Sequence, residues 1–154
     1  MRRCIQLANE SASSGNYALA ALVANDDEII AESGSNLIKD NNDPSAHPEM
    51  MVIRTAAHKM GTRYLPHAIL VTTLEPCPMC TSVAIWAKMA GIAYGASQED
   101  AERWSAEHLD ETYTWRQIHI RARTIVSAGQ PHIELHENVL RDDCTSLFTA
   151  TKCT

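Results

Sequence analysis

The chain has 154 residues, 45% of them hydrophobic and 21% charged, with a formal net charge of −6. This length predicts one domain, spanning 1–154, that buries roughly two thirds of the surface its unfolded form exposes. The acidic balance disfavours a nucleic-acid binder, and with no apolar run long enough for a bilayer and no secretory pattern we expect a cytoplasmic protein.

The hydrophobic pattern changes between the helical and the strand period along the chain. Apolar residues in 3–13 recur at i, i+3 and i+4, which is typical of a helix. The run AILVTTL over 68–74 is continuous and β-branched, which predicts a buried central strand. In chain order, the predicted elements are a helix over 3–13, strands over 16–24 and 29–34, a polar loop over 33–46, a helix over 47–59, a strand over 68–74, a helix over 76–89, a strand over 91–97, mostly helix over 99–123, a short strand over 132–137 and a closing helix over 137–150.

Strands and helices alternate through the middle of the chain, which predicts a three-layer α/β/α domain with a mixed five-stranded sheet flanked by helices. The first two strands are joined only by the turn sequence NDDE, so they are expected to pair antiparallel. The later strands are joined by helices and are expected to pair parallel. Helices that begin at His47 and Cys77 then start at the same end of the sheet, where open α/β sheets place their sites.

Cys77 and Cys80 are three residues apart in the first turn of a predicted helix, so their side chains face the same way. The helix N-terminus favours their thiolate forms, and two thiolates balance the charge of Zn²⁺. A neutral imidazole from His47 supplies a third ligand. One Zn²⁺ per chain is therefore predicted, with its fourth position free for water as in catalytic sites.

Glu49 follows His47 by two residues at the start of the same helix. Zinc lowers the pKa of a bound water, and a nearby carboxylate takes the proton and passes it to a leaving group. We therefore assign Glu49 as the catalytic residue. The pattern H-x-E followed by P-C-x-x-C, present here in 47–49 and 76–80, is that of zinc deaminases.

Three other interpretations of the sequence stay open at this point. The CPMC stretch is also compatible with a thioredoxin-like redox pair, which needs neither His47 nor Glu49. The stretch RQIHIRAR over 116–123 is a modest basic patch and is either a nucleic-acid contact or a solvated face. A purely structural zinc needs a fourth protein ligand, for which the candidates are His58, His67, Cys4 and Cys144.

On these residues, the chain resembles the cytidine deaminase superfamily over about 15–148. It is closest to the branch of guanine deaminases and tRNA adenosine deaminases. The stretch NDPSAHPE is similar to the branch's DPTAHAE, and LVTTLEPCPMC is close to its strand-and-ligand segment. The resemblance implies a cytidine deaminase-like fold, a homodimer, and contacts from Asn36 and Ala46 to the substrate. An ordinary turn asparagine is the alternative for Asn36.

Within this branch, the resemblance favours a guanine deaminase that forms xanthine and ammonia. Asp110 and Glu111 match an acidic pair of those enzymes, where a carboxylate accepts hydrogen bonds from the N1–H and exocyclic amine of guanine. Trp86 matches an aromatic residue near their base pocket, with core packing as its alternative. The net charge also favours a free base or nucleoside. The alternatives are a tRNA-specific adenosine deaminase, a deaminase of another purine, pyrimidine or triazine, and a non-catalytic zinc-stabilised module.

The chain departs from the family pattern in three places. Pro48 stands where relatives have alanine, between the ligand and the catalytic residue. Ala18 and Ala20 replace a proline and a glycine of the first strand, where their methyl groups are expected to reshape the pocket. The chain also ends soon after Phe148, so closure of a partner's pocket by the C-terminal tail is expected to differ from that in guanine deaminases.

Overall fold

In the computed structural model, residues 1–26, 28–34, 42–108 and 118–151 are described, and they form a mixed sheet with helices on both faces. The fold class predicted from the sequence is therefore confirmed. None of the helices in these residues has the length and apolar character needed to cross a membrane. The elements are α1 (Arg2–Ser13), β1 (Ala20–Ala24), β2 (Ile29–Gly34), α2 (Pro48–Met60), β3 (Ile69–Leu74), α3 (Pro78–Trp86), β4 (Gly91–Ala96), α4 (Gln98–Glu107), α5 (Ala122–Ala128), β5 (Glu134–His136), α6 (Arg141–Thr145) and a 3-10 helix (Ser146–Ala150).

The strand order is β2-β1-β3-β4-β5, which places β3 at the centre as its apolar sequence predicts. β1 pairs antiparallel with β2 and β3, and β4 pairs parallel with β3 and β5. The carboxyl ends of β3 and β4 therefore lie at one edge of the sheet. α3 and α4 begin just beyond those ends.

The side chains of β1 alternate between the two faces of the sheet and pack in two separate apolar clusters. Ala21 and Val23 pack in one cluster with residues of α2, α3 and α5, on what we call the α2 face of the sheet. Ala20 and Leu22 pack in another cluster with α1, on the α1 face. Successive side chains of a strand point to opposite faces, so this one strand contributes to both cores and produces the three-layer architecture.

β1 begins at Ala20, and the prediction of a strand from residue 16 was wrong for its first four residues. The N–H of Ala18 donates to Thr151 Oγ1 at 2.9 Å, and the N–H of Leu19 donates to the carbonyl of Tyr17 at 2.8 Å. The backbone before Ala20 is therefore bound to the end of the chain and to a local turn instead of a neighbouring strand.

α3 ends at Trp86, three residues earlier than predicted. Lys88 adopts a left-handed conformation with φ 51°, and the N–H of Met89 donates back to the carbonyl of Ala84 at 3.1 Å. These contacts close the helix before β4 starts. An apolar helix pattern alone does not locate such a turn.

The predicted helix over 99–123 is interrupted. α4 covers Gln98–Glu107, residues 118–121 are not helical, and 109–117 lie outside the described residues. α5 then runs from Ala122 to Ala128 and was missed because seven residues give only a short periodic pattern. The closing helix is likewise shorter, since Leu140 is left-handed and α6 starts after it.

Gly95 is expected to tolerate no side chain. A Cβ at this position would lie 2.2 Å from Sγ of Cys144 and 3.0 Å from the carbonyl oxygen of Thr73. We expect Gly95→Ala to lower the free energy of unfolding by about 3 kcal/mol, because added atoms strain a packed core. Gly61→Ala is the matched control: Gly61 has φ +63° but open space, so the left-handed backbone alone costs about 1 kcal/mol. Chemical denaturation measures both, and equal costs would contradict the prediction.

Candidate functional site

His47 and Cys77 each precede a helix and are each followed by a proline. They are the N-cap residues of α2 and α3, with φ and ψ of −60° and 144° for His47 and −63° and 168° for Cys77. Proline disfavours a helical conformation in the residue before it, yet fits the first helical position well. The same local pattern therefore ends the extended chain at both residues and places both side chains at helix starts.

His47, Cys77 and Cys80 meet in space, as the sequence predicted. Their candidate ligand atoms all lie within 4.8 Å of one another. Nδ1 of His47 is 3.8 Å from Sγ of Cys77, whose distance to Sγ of Cys80 is 3.6 Å. Zinc binds thiolates at about 2.3 Å, so tetrahedral ligation separates two sulfurs by roughly 3.8 Å. The three side chains therefore fit a zinc ion without rearrangement of the backbone.

The pKa shifts of Cys77, Cys80 and His47 also favour the binding of a cation between them. The hydrogen bond with Cys80 lowers the pKa of the Cys77 thiol to about 4, against the opposing effect of burial. The same contact, together with burial, raises the pKa of Cys80. The hydrogen bond with Cys77 raises the pKa of His47. One sulfur is thus held as a thiolate while its neighbour is kept protonated, and a divalent cation would allow both to ionise.

The carboxyl group of Glu49 lies beside His47, Cys77 and Cys80, which we call the trio, without belonging to it. Glu49 is in the first turn of α2 and is only 6% exposed. Its Oε2 is 3.6 Å from Sγ of Cys80, and its Oε1 accepts a hydrogen bond from Oγ1 of Thr72 at 2.8 Å. Burial raises the pKa of Glu49. A carboxyl group that takes up a proton readily, beside residues that could hold a metal ion, suits proton transfer.

In residues 1–26, 28–34, 42–108 and 118–151, no fourth histidine, cysteine or carboxylate joins the trio. Sγ of Cys4 lies 3.5 Å from the carbonyl of Val71 on the α1 face, and Cys144 packs beside Gly95. His58 and His67 are exposed. Three ligands match a catalytic zinc, whereas the structural-zinc alternative requires a ligand that this part of the chain does not supply.

The predicted substrate contacts lie in different places. Ala46 is fully buried directly before His47, with its N–H donating to the carbonyl of Asp43 at 3.1 Å. Trp86 lies at the other end of α3 from Cys77, about 13 Å along the helix axis at 1.5 Å per residue. It is 79% exposed, so its alternative assignment to core packing was wrong. Trp86 is six residues beyond Cys80 on the same helix, about 9 Å along its axis. Asn36, Asp110 and Glu111 lie outside the described residues.

The family departures also have positions in the structure. Pro48 is fully buried at the first position of α2. Ala18 and Ala20 are buried on the α1 face with the side chains of α1. Glu49 instead contacts Thr72, which shares the α2-facing side of β3 with Leu70. The two alanine side chains therefore pack in a different apolar cluster from the residues beside Glu49.

Glu75 directly follows β3, at the end of the sheet where α3 begins. It was not identified from the sequence. Its side chain is 1% exposed and accepts hydrogen bonds from the Arg121 guanidinium and from the N–H groups of Gln98 and Ala122, at 2.8–2.9 Å. It thus ties the starts of α4 and α5 to the strand end that leads to Cys77. A glutamate directly after a buried apolar strand is expected to be buried as well. A buried carboxylate requires hydrogen-bond donors, so the sequence position of Glu75 indicates that such donors lie nearby.

Comparisons with known proteins agree with this geometry. Residues 1–96 match the family model for the cytidine and deoxycytidylate deaminase zinc-binding region. The guanine deaminase of Bacillus subtilis is 34% identical over 119 residues, which are 77% of this chain and 74% of that protein. A tRNA-specific adenosine deaminase of Agrobacterium fabrum is 41% identical over 78 residues, 51% of each chain. A solved guanine deaminase from Nitrosomonas europaea shares the fold with a TM-score of 0.78 at 22% identity, covering 97% of this chain and 81% of that one.

Proposed function

The chain belongs to the cytidine and deoxycytidylate deaminase family, and we propose that it hydrolyses guanine to xanthine and ammonia. Water adds to the ring carbon that bears the amino group, the carbon–nitrogen bond breaks, and ammonia leaves with the proton it needs. Membership of the family establishes a zinc-binding deaminase that cleaves a carbon–nitrogen bond. Guanine as the substrate, and the role of each residue below, are our proposals.

In this mechanism, His47, Cys77 and Cys80 hold the metal. Zn²⁺, when bound, lowers the pKa of water from 15.7 to about 7 and so supplies a nucleophile at neutral pH. Glu49 accepts a proton from the attacking water, because its Oε2 lies 3.6 Å from Sγ of Cys80, beside the residues that would hold the metal. It then delivers protons to the ring nitrogen and to the departing ammonia. Burial of Glu49 keeps bulk water from competing for these protons.

The observation that carries the proposal is the position of the Glu49 carboxyl group. Its Oε2 lies 3.6 Å from Sγ of Cys80 within a nearly closed environment, yet the three ligand atoms group together without it. A non-catalytic zinc module has no need for a buried carboxyl group at this point, since burying one is costly. Proton transfer during deamination requires a carboxyl group at this position.

Guanine is favoured by the similarity to the Bacillus subtilis guanine deaminase, which extends over three quarters of both chains. The proposed base contacts are Asn36, Ala46, Trp86, Asp110 and Glu111. We further propose that one domain over 1–154 acts in the cytoplasm as a homodimer. The exposure of Trp86 supports the dimer, because a large aromatic side chain that is 79% exposed is typical of an interface.

A tRNA adenosine deaminase is the second candidate, supported by the 41% identity to the Agrobacterium fabrum enzyme. Its substrate is an anticodon stem-loop in this case, and binding depends steeply on salt through phosphate contacts. The net charge of −6 disfavours that substrate. The similarity to this relative also spans only half of either chain.

An ammonia-release screen tests the proposed substrate. The zinc-loaded protein is incubated with guanine, adenine, cytosine, their nucleosides, related triazines and an anticodon stem-loop. We expect kcat/KM for guanine to exceed that for each other compound by at least about tenfold, a margin that one well-placed hydrogen-bonding group supplies. Turnover of the stem-loop alone, lost at high salt, would identify the tRNA enzyme instead. Turnover of another ring would reassign the substrate and keep the mechanism.

A further inference from the structure

Thr72 makes a buried contact with Glu49 across two elements. It lies in β3 and is 1% exposed, and its Oγ1 donates to Oε1 of Glu49 at 2.8 Å. The two residues are 23 positions apart in sequence, so the contact depends on how α2 packs on the sheet. A buried hydroxyl requires a partner, and here the partner is the residue that we assign to proton transfer.

The hydroxyl of Thr72 is held rigidly by its surroundings. Thr72 pairs with Ala21 of β1 on one side and with Tyr94 of β4 on the other, at the centre of the sheet. A β-branched side chain on a strand has few accessible rotamers. The position of the Thr72 Oγ1 atom is therefore fixed by the sheet, whereas Glu49 has a longer side chain with three rotatable bonds.

We propose that Thr72 is a positioning residue that aims the Glu49 carboxylate at the reacting water; this inference rests on the proposed function. With Oε1 held by Thr72, the second oxygen, Oε2, lies 3.6 Å from Sγ of Cys80, at the residues that would hold the metal. Rotation of the carboxylate would break the 2.8 Å hydrogen bond and turn Oε2 away from the ligands. β3 thus fixes the orientation of the Glu49 carboxylate. The backbone of the first turn of α2 does not fix it alone.

Thr73 provides a matched control next to it in the same strand. It is 2% exposed, and its side chain points to the opposite face of the sheet. Its Oγ1 contacts the backbone of Ala20, at 3.2 Å from the nitrogen and 3.4 Å from the oxygen. Replacing either threonine by valine keeps the branched shape and removes one buried hydroxyl, but only Thr72→Val affects Glu49.

The test compares Thr72→Val, Thr72→Ser and Thr73→Val as zinc-loaded proteins, on the base that releases ammonia most rapidly. We expect Thr72→Val to lower kcat by roughly 10- to 100-fold, the size of effect of a hydrogen bond to a charged group. KM should stay within about twofold, because a misaligned base affects the chemical step. Thr72→Ser keeps the hydroxyl and should restore kcat to within about threefold. Thr73→Val should leave kcat near the wild-type value.

A second readout does not depend on activity. The carboxylate stretching band of Glu49, identified in infrared difference spectra by its loss in Glu49→Gln, should shift in Thr72→Val and not in Thr73→Val. A wild-type kcat with an unshifted band in folded, zinc-loaded Thr72→Val would overturn the proposal, as would equal losses in both valine variants. If Thr72→Val does not fold, comparison of Thr72→Ala with Thr72→Ser decides in the same way. Retained turnover in Glu49→Gln would instead overturn the proposed function.

Discussion

Glu49→Gln is expected to lower kcat by about 10³- to 10⁴-fold while the protein keeps its zinc. General acid–base catalysis contributes about 10²- to 10⁴-fold, and Glu49 acts both in activating water and in protonating the products. Glutamine matches the shape of glutamate but carries no transferable proton at this position. Ammonia release measures kcat, and metal analysis measures zinc per chain. Because Glu49 is not among the three ligands, the zinc content should stay at one.

The thermal midpoint separates this chemical effect from a loss of fold. Burial opposes a charge on Glu49, so a neutral amide at this site should leave Tm unchanged or raise it. Glu28→Gln is the control for the substitution itself, because Glu28 is exposed in the β1–β2 turn, far from the trio in the sheet order. Activity of Glu49→Gln at a tenth of the wild-type value or more would refute the assigned mechanism.

The grouping of His47, Cys77 and Cys80 was predictable because much of their placement depends on local sequence. A proline after His47 and after Cys77 fixes the start of each helix, and spacing within one turn then places Cys80. The strand between them is a continuous apolar run, so the sequence also indicated that both helices begin at the same edge. Short-range rules were therefore sufficient to predict the trio and its neighbour Glu49.

The contacts of Thr72 and Glu75 were not predictable in this way, because they depend on partners distant in sequence. Thr72 fits a strand equally well with or without Glu49 opposite it. The interruption at 118–121 likewise depends on Arg121 binding Glu75, 46 residues earlier, which no local propensity contains. Trp86 illustrates a third case, since an apolar residue at a helix end has the same pattern whether it is buried or 79% exposed.

Cys80→Ser is expected to remove zinc, and with it both activity and a large part of the stability. A serine hydroxyl does not ionise at neutral pH and is a poor ligand, so only His47 and Cys77 would remain. Any ligand that binds only the folded state stabilises it, by about 4 kcal/mol at a free concentration 1,000 times its Kd. We therefore expect turnover below detection, less than a tenth of a zinc per chain, and a Tm that no longer falls when a chelator is added.

Cys144→Ser separates loss of a ligand from loss of a buried cysteine. Cys144 is 1% exposed, its Sγ packs beside Gly95, and it is not part of the trio. Its serine variant should pack less well and melt earlier, yet keep one zinc per chain and turn over substrate. Above all, its Tm should still fall on chelation, because the trio is intact. A Cys80→Ser protein that retains zinc and a chelator-dependent Tm would show that the metal is bound elsewhere.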